Sequence, residues 1–159
     1  MIAGIIPFLK SGVFASNIDR NLKKKDWSID GGAIYDGEKR ITELKNICLP
    51  DLSKAKVVVL ISQITGSSGE ITALSMLNRP NTYFIGERSA GFMTSNELFR
   101  LPFGTFLLLA NADEMDSKGR IVKFIEPDHL LVQGDNFNEL TEDLKIIEAL
   151  KWVNRKKKD

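Results

Sequence analysis

The chain has 159 residues, 43% hydrophobic and 27% charged, with 22 basic against 21 acidic side chains and a net charge of +1. Such a composition excludes an intrinsically disordered or collagen-like chain, is long enough for one domain with a sizeable core, and carries no global field for nucleic acid or membrane. One cysteine, Cys48, and one histidine, His129, exclude an intrachain disulfide framework and a Cys- or His-based metal site.

The apolar run over residues 2 to 9 reads as a helix packed on a sheet. A secretory signal fits it less well, because it has no basic n-region, carries Pro7 in mid-run and is interrupted by Lys10. The basic triplet Lys23, Lys24 and Lys25 reads as a solvated loop, and residues 33 to 41 as a hairpin around Asp36 and Gly37. Cys48, between Ile47 and Leu49, reads as a small buried hydrophobe.

Residues 56 to 61, Lys-Val-Val-Val-Leu-Ile, predict a buried strand. Thr65-Gly66-Ser67-Ser68-Gly69-Glu70 follows it and opens a helix over residues 67 to 77. A serine at a strand-to-helix turn has its hydroxyl exposed beside free backbone N–H groups at the positive end of a helix dipole, which suits a nucleophile and its oxyanion. Taken alone, these six residues fit a plain turn with an N-cap better than a nucleophile, Thr65 being a turn residue and Glu70 an early-helix acid favoured by the dipole.

A turn at Asn78 to Thr82 leads to a strand over 82 to 86, and the segments 97 to 101, 105 to 110 and 120 to 124 are predicted to continue the sheet. Asp113, Glu114 and Asp116, near Gly119, read as a turn rather than a cation cage. Leu140, Leu144, Ile147, Leu150 and Val153 then share one face of a closing helix with acidic residues in its first turns and a basic cluster at its end. Neither this cluster nor the lysine triplet has the interleaved aromatic platform of a nucleic-acid site. No stretch has the length of a membrane span.

In order, the Val-rich strand, Thr65 to Glu70, Gly86-Glu87 with the turn to Gly91, the Leu98 to Leu109 hairpin and Ile125-Glu126-Pro127-Asp128 resemble the catalytic core of S41 serine peptidases. These are the tail-specific or C-terminal processing proteases. The motifs span residues 56 to 130. The alternation of strands and helices gives an α/β domain. The resemblance implies a ClpP/crotonase-like spiral of β-β-α units with a partial S41 core, a single peptidase domain over 1–155 and a basic tail over 156–159.

On that resemblance Ser67 takes the place of the nucleophile, Gly66 replaces the usual alanine, and the Ser68 N–H is the first oxyanion donor. The base lysine of one branch and its supporting glutamine align with Phe92 and Asn96, so a Ser/Lys dyad is not expected. The turn resembles more the lysine-free branch that includes the nisin-resistance proteins, whose histidine lies upstream of the serine. His129 lies downstream and reads as a surface or packing residue.

In those relatives an Asp-Leu-Arg-x-Asn-x-Gly-Gly segment runs into the helix that Met1 to Leu9 resembles. The chain therefore reads as the C-terminal part of a larger enzyme, exported or membrane-anchored and extracytoplasmic. Its substrate would be a peptide or protein C-terminal segment, without a cofactor or metal, and a homo-oligomer is compatible with it. The rival expectation is a non-catalytic module that keeps the fold to bind peptides or a protein partner.

Overall fold

A computed structural model describes residues 1–44 and 50–155. Cys48 and the 156–159 tail lie outside the described residues. A 3-10 turn over Ile2–Phe8 occupies the expected first helix. It leads into β1 (Gly12–Asp19), β2 (Lys24–Asp30), β3 (Ala33–Asp36) and β4 (Lys39–Glu43). The β3–β4 hairpin turns at the expected Asp36 and Gly37, whereas Lys24 and Lys25 belong to strand β2 and not to a loop. Pairing explains that difference: Lys24 and Lys25 sit opposite Ile18 and Asn17 of β1, so their side chains point off a ladder that the neighbouring strand specifies.

Next come β5 (Val57–Ile61), α1 (Ser68–Met76), β6 (Thr82–Gly86), β7 (Thr94–Arg100), β8 (Phe106–Asp116), β9 (His129–Leu130) and α2 (Leu144–Asn154). They complete a mixed α/β fold of two sheets. The first has six antiparallel strands in the order β4-β3-β2-β1-β8-β7, and the second three parallel strands in the order β5-β6-β9.

The predicted strand over 120 to 124 is absent; only an isolated bridge, Met115 to Ile121, forms there. Asp116 is the cause. Its buried carboxylate accepts the Lys118 and Arg120 N–H groups at 2.9 and 3.0 Å and the Arg120 Nε at 2.7 Å, which closes a turn where a ladder would continue. Burial alone would raise the Asp116 pKa, but these donors outweigh it and hold the group below the usual carboxylate range.

One core joins the sheets. Phe14, Ile29 and Ile34 from the first, with Ile6 of the N-terminal 3-10 turn, meet Ile61, Ala73, Leu74 and Phe84 around the second. Successive residues of a strand face opposite ways, so Phe84 enters this core while Tyr83 points to the other face, where its ring stacks on Trp152 of α2 at 5.1 Å. Helices α1 and α2 therefore cover opposite faces of the parallel sheet. Arg79, just past α1, fastens the loops beneath by donating to the carbonyls of Phe8, Leu52 and Ala55 at 2.6 to 2.8 Å.

Candidate active site

Parallel strands present their carboxyl ends together, and the Ser67 turn lies at that end of β5. The Ser62 N–H donates to Thr65 Oγ1 at 3.0 Å and the Thr65 N–H to the Ser62 carbonyl at 2.8 Å, so Thr65 is the turn residue its type suggests. Ser67 follows with φ 51° and ψ −117°, on the left-handed side that β-carbons disfavour. Such a backbone costs on the order of 1–3 kcal/mol and persists only where its surroundings over-determine it. Serines that serve as nucleophiles on strand-to-helix elbows adopt sharp, strained turns of this kind. Ser67 and Ser68 are both exposed.

Glu70 supplies the over-determination. Its side chain is fully buried, at 0% exposure, and both oxygens are filled with donors. Oε2 accepts the Ser67 N–H at 2.9 Å and the Phe92 N–H at 2.8 Å; Oε1 accepts the Gly91 N–H at 2.7 Å and the Ser89 hydroxyl at 2.5 Å. The Ser89 oxygen in turn accepts the Ile125 N–H at 2.8 Å. Three segments remote in sequence, the Ser67 turn, the Gly-rich turn and the Ile-x-Pro-Asp segment, thus meet at one carboxylate. Glu70 is more than the dipole-favoured acid its position suggests.

The Ser68 N–H begins α1 and has no partner one turn earlier within the helix, so it is available to an anion. Gly66 does more than replace an alanine. A β-carbon there would stand 2.9 Å from the Phe92 ring and 3.3 Å from the Ala90 Cβ. Phe92, where a lysine base would align, thus packs against Gly66, which has no side chain. Gly86 is as constrained: with φ +127°, a β-carbon would fall 1.9 Å from the Ile61 carbonyl oxygen, which the Glu87 N–H engages at 3.0 Å.

His129 pairs with Ile85 of β6, on the face that carries Tyr83 and lies against α2, opposite α1. Asp128 Oδ2 accepts the Phe84 N–H at 2.8 Å. Asn96 is exposed in β7. Asp113 pairs with Lys123 at 2.5 Å and Asp116 with Arg120, and among the described residues no group of three His, Cys, Asp or Glu could hold a metal ion. An apolar cleft of about 740 Å3 borders the turn, lined by Leu60, Thr65, Gly66, Phe137, Leu140 and Ile146. Lys145 at its wall is buried and held bidentate by Asp135, at 2.7 and 2.9 Å.

Ser89 and the contact of Gly66 with Phe92 are not visible in local sequence patterns. Ser89 lies nineteen residues from the carboxylate it serves, and only the spacing of its Gly-rich turn marks it.

The model of peptidase family S41 matches residues 1–131. A nisin-resistance protein of Lactococcus lactis subsp. lactis is 31% identical over 157 residues, covering 96% of this chain and 44% of the relative. Among solved structures, a lipoprotein from Streptococcus agalactiae superposes with a TM-score of 0.67 at 26% identity, over 96% of this chain and 48% of that one. The photosystem II D1 C-terminal processing protease shares the fold, with a TM-score of 0.57 at 19% identity over 82% of this chain and 30% of that one. The chain spans about half the length of the first two. No described helix is long and apolar enough to cross a membrane.

Proposed function

Because this chain belongs to peptidase family S41, we propose that it carries the nucleophile-bearing part of a serine peptidase, with Ser67 as nucleophile and the Ser68 N–H as first oxyanion donor. The observation that carries the reading is the strained, exposed backbone of Ser67, clamped from below by buried Glu70. Ser67 Oγ attacks a peptide carbonyl, its proton passes to a base, and the carbonyl oxygen takes the negative charge against the helix N-terminus. The base later returns the proton to the departing amine, leaving an acyl-enzyme for water to hydrolyse.

The base and the second oxyanion donor are assigned to sequence outside these 159 residues. His129 faces α2 and Phe92 fills the lysine position, so neither supplies the base. One missing oxyanion donor costs about a hundredfold to a thousandfold in turnover. The chain alone is therefore expected to be nearly inactive. Residues 1–155 form one peptidase unit in this reading. Its substrates are peptides or protein C-terminal segments, including peptide antibiotics such as the one in the name of the nisin-resistance relative, and the full-length protein acts outside the cytoplasm.

The same Phe92 favours a second reading, a peptide-binding module without catalysis. Fluorophosphonate labelling read by intact mass separates the two. The chain is treated alone and as a fusion to the upstream half of the Lactococcus lactis relative, each beside Ser67→Ala. Labelling at Ser67 in the fusion is expected; an unlabelled Ser67 in a folded fusion sinks the catalytic reading.

A further inference from the structure

The two sheets end in four edge strands among the described residues, and three of them are guarded. Strand β4 carries Lys39 and Arg40, β7 carries Glu97 and Arg100, and β9 is 2 residues long. Charge and shortness are the usual protections of an exposed edge. Strand β5, Val-Val-Val-Leu-Ile, has neither, although it ends the parallel sheet.

Which of its backbone groups are free follows from alternation along the strand. The Val57 N–H donates to the Asn81 carbonyl at 2.9 Å and the Ile61 carbonyl accepts the Glu87 N–H at 3.0 Å, so these residues turn their backbone towards β6. Val58 and Leu60, out of step with them, turn theirs away and have no strand partner among the described residues. Beside that row lies the apolar cleft of about 740 Å3. Leu60, Phe137 and Leu140 in its wall are exposed, and Ile64 is 91% exposed. Unpaired backbone next to an apolar cleft suits an added strand, whose hydrogen bonds make the pairing while the cleft takes its alternate side chains.

We propose that the upstream half of the full-length protein adds a strand to this edge, parallel to β5. A protein of the length of the Lactococcus lactis relative has more than half of its residues outside this chain, which covers 44% of it. A second copy fits the edge less well. Two β5 strands related by a two-fold axis normal to the sheet meet antiparallel, against the common direction of β5, β6 and β9.

The parallel direction also suits the path of the chain. The 3-10 turn over Ile2–Phe8 finishes at the amino end of β5, where the Pro7 carbonyl accepts the Leu52 N–H at 2.8 Å and the Phe8 carbonyl accepts the Arg79 Nε at 2.6 Å. Its 7 residues span about 14 Å, close to the roughly 16 Å of β5, so a strand that finishes at the carboxyl end is within its reach. The link from that strand to Met1 then passes beside the Ser67 turn, where its backbone N–H groups supply the second oxyanion donor. This last step rests on the catalytic reading of Ser67; the pairing at β5 does not.

Amide hydrogen exchange at Val58 and Leu60 tests the pairing, read by NMR in the chain alone and in its fusion to the upstream half of the Lactococcus lactis relative. Both amides are expected to exchange at least tenfold more slowly in the fusion. If the fusion does not fold, the two halves are mixed as separate polypeptides and followed by sedimentation velocity. A one-to-one complex is expected, its dissociation constant raised at least tenfold by Leu60→Lys and unchanged by Ile41→Lys on β4. Amides that exchange as fast in the fusion as in the chain alone, halves that do not bind, or a complex indifferent to Leu60→Lys overturns the proposal. So does protection that needs added peptide, or that appears in the chain alone as its concentration rises, since the edge would then belong to substrate or to a second copy. Protected amides beside an unlabelled Ser67 would uphold the pairing and sink the catalytic reading alone.

Discussion

Two buried glutamates stand at opposite ends of the range of environments this fold offers. Glu70, beneath the Ser67 turn, has no solvent exposure and four donors on its two oxygens. Glu114, on the six-stranded sheet, is 4% exposed and has Asp36 and Asp113 as its electrostatic neighbours. Burial first, then the nearby charges of Asp36 and Asp113, push its pKa up to about 7. Asp36 Oδ1 and the Trp27 indole N–H are buried with no hydrogen-bond partner in the structure. Equal burial therefore has opposite meanings: at Glu70 a carboxylate organises three segments, and at Glu114 it is a group the fold tolerates best when protonated.

The largest expected effect is at Glu70. Glu70→Ala strands three backbone N–H groups and a hydroxyl, and should lower stability by about 3–5 kcal/mol in urea unfolding. Glu70→Gln should cost nearly as much, because one carboxylate oxygen becomes an N–H2 group facing donors. A glutamine that restores full stability would remove the distinction between the two sites.

Glu114 predicts a pH dependence of the opposite kind to that of most carboxylates. Its folded pKa lies above the usual 4.5, so the folded state holds the extra proton and stability falls as pH rises from about 4.5 to 7, then levels. Across that window the loss is on the order of 3 kcal/mol. Glu114→Gln should remove this slope and be more stable than wild type at pH 8; an unchanged slope would reassign it to other groups.

Smaller effects sharpen the account of the turn itself. Gly66→Ala is expected to cost about 1–3 kcal/mol through overpacking, most of it recovered in a Phe92→Ala background, as a double-mutant cycle would show. Ser67→Gly should stabilise by about 0.5–1 kcal/mol by relieving the positive φ, read from the shift in urea midpoint.

Strands β5 and β6 of the parallel sheet were legible because their signals are local, whereas β9, only His129 and Leu130, carries no pattern of its own and owes its strand state to pairing with Ile85 and Gly86. An unbroken Val-Val-Val-Leu-Ile run, a Gly/Ser turn and a Gly-Glu strand end each carry their own conformational reason, and the order of these blocks carries the family. Strands β1 and β2 were not, since Lys24 and Lys25 owe their strand state to Ile18 and Asn17 across the ladder. Ser67 could be read from its neighbours. What holds it could not, because Ser89, Gly91, Phe92 and Ile125 reach Glu70 only after the chain has folded back.

The stack of Trp152 on Tyr83 has a use beyond packing. Of the chain's two tryptophans, Trp152 docks on the parallel sheet and Trp27 lies within the antiparallel one. Each sheet thus carries its own fluorophore. Variants retaining one indole at a time would follow the two halves separately, and the core they share implies superimposable melting curves.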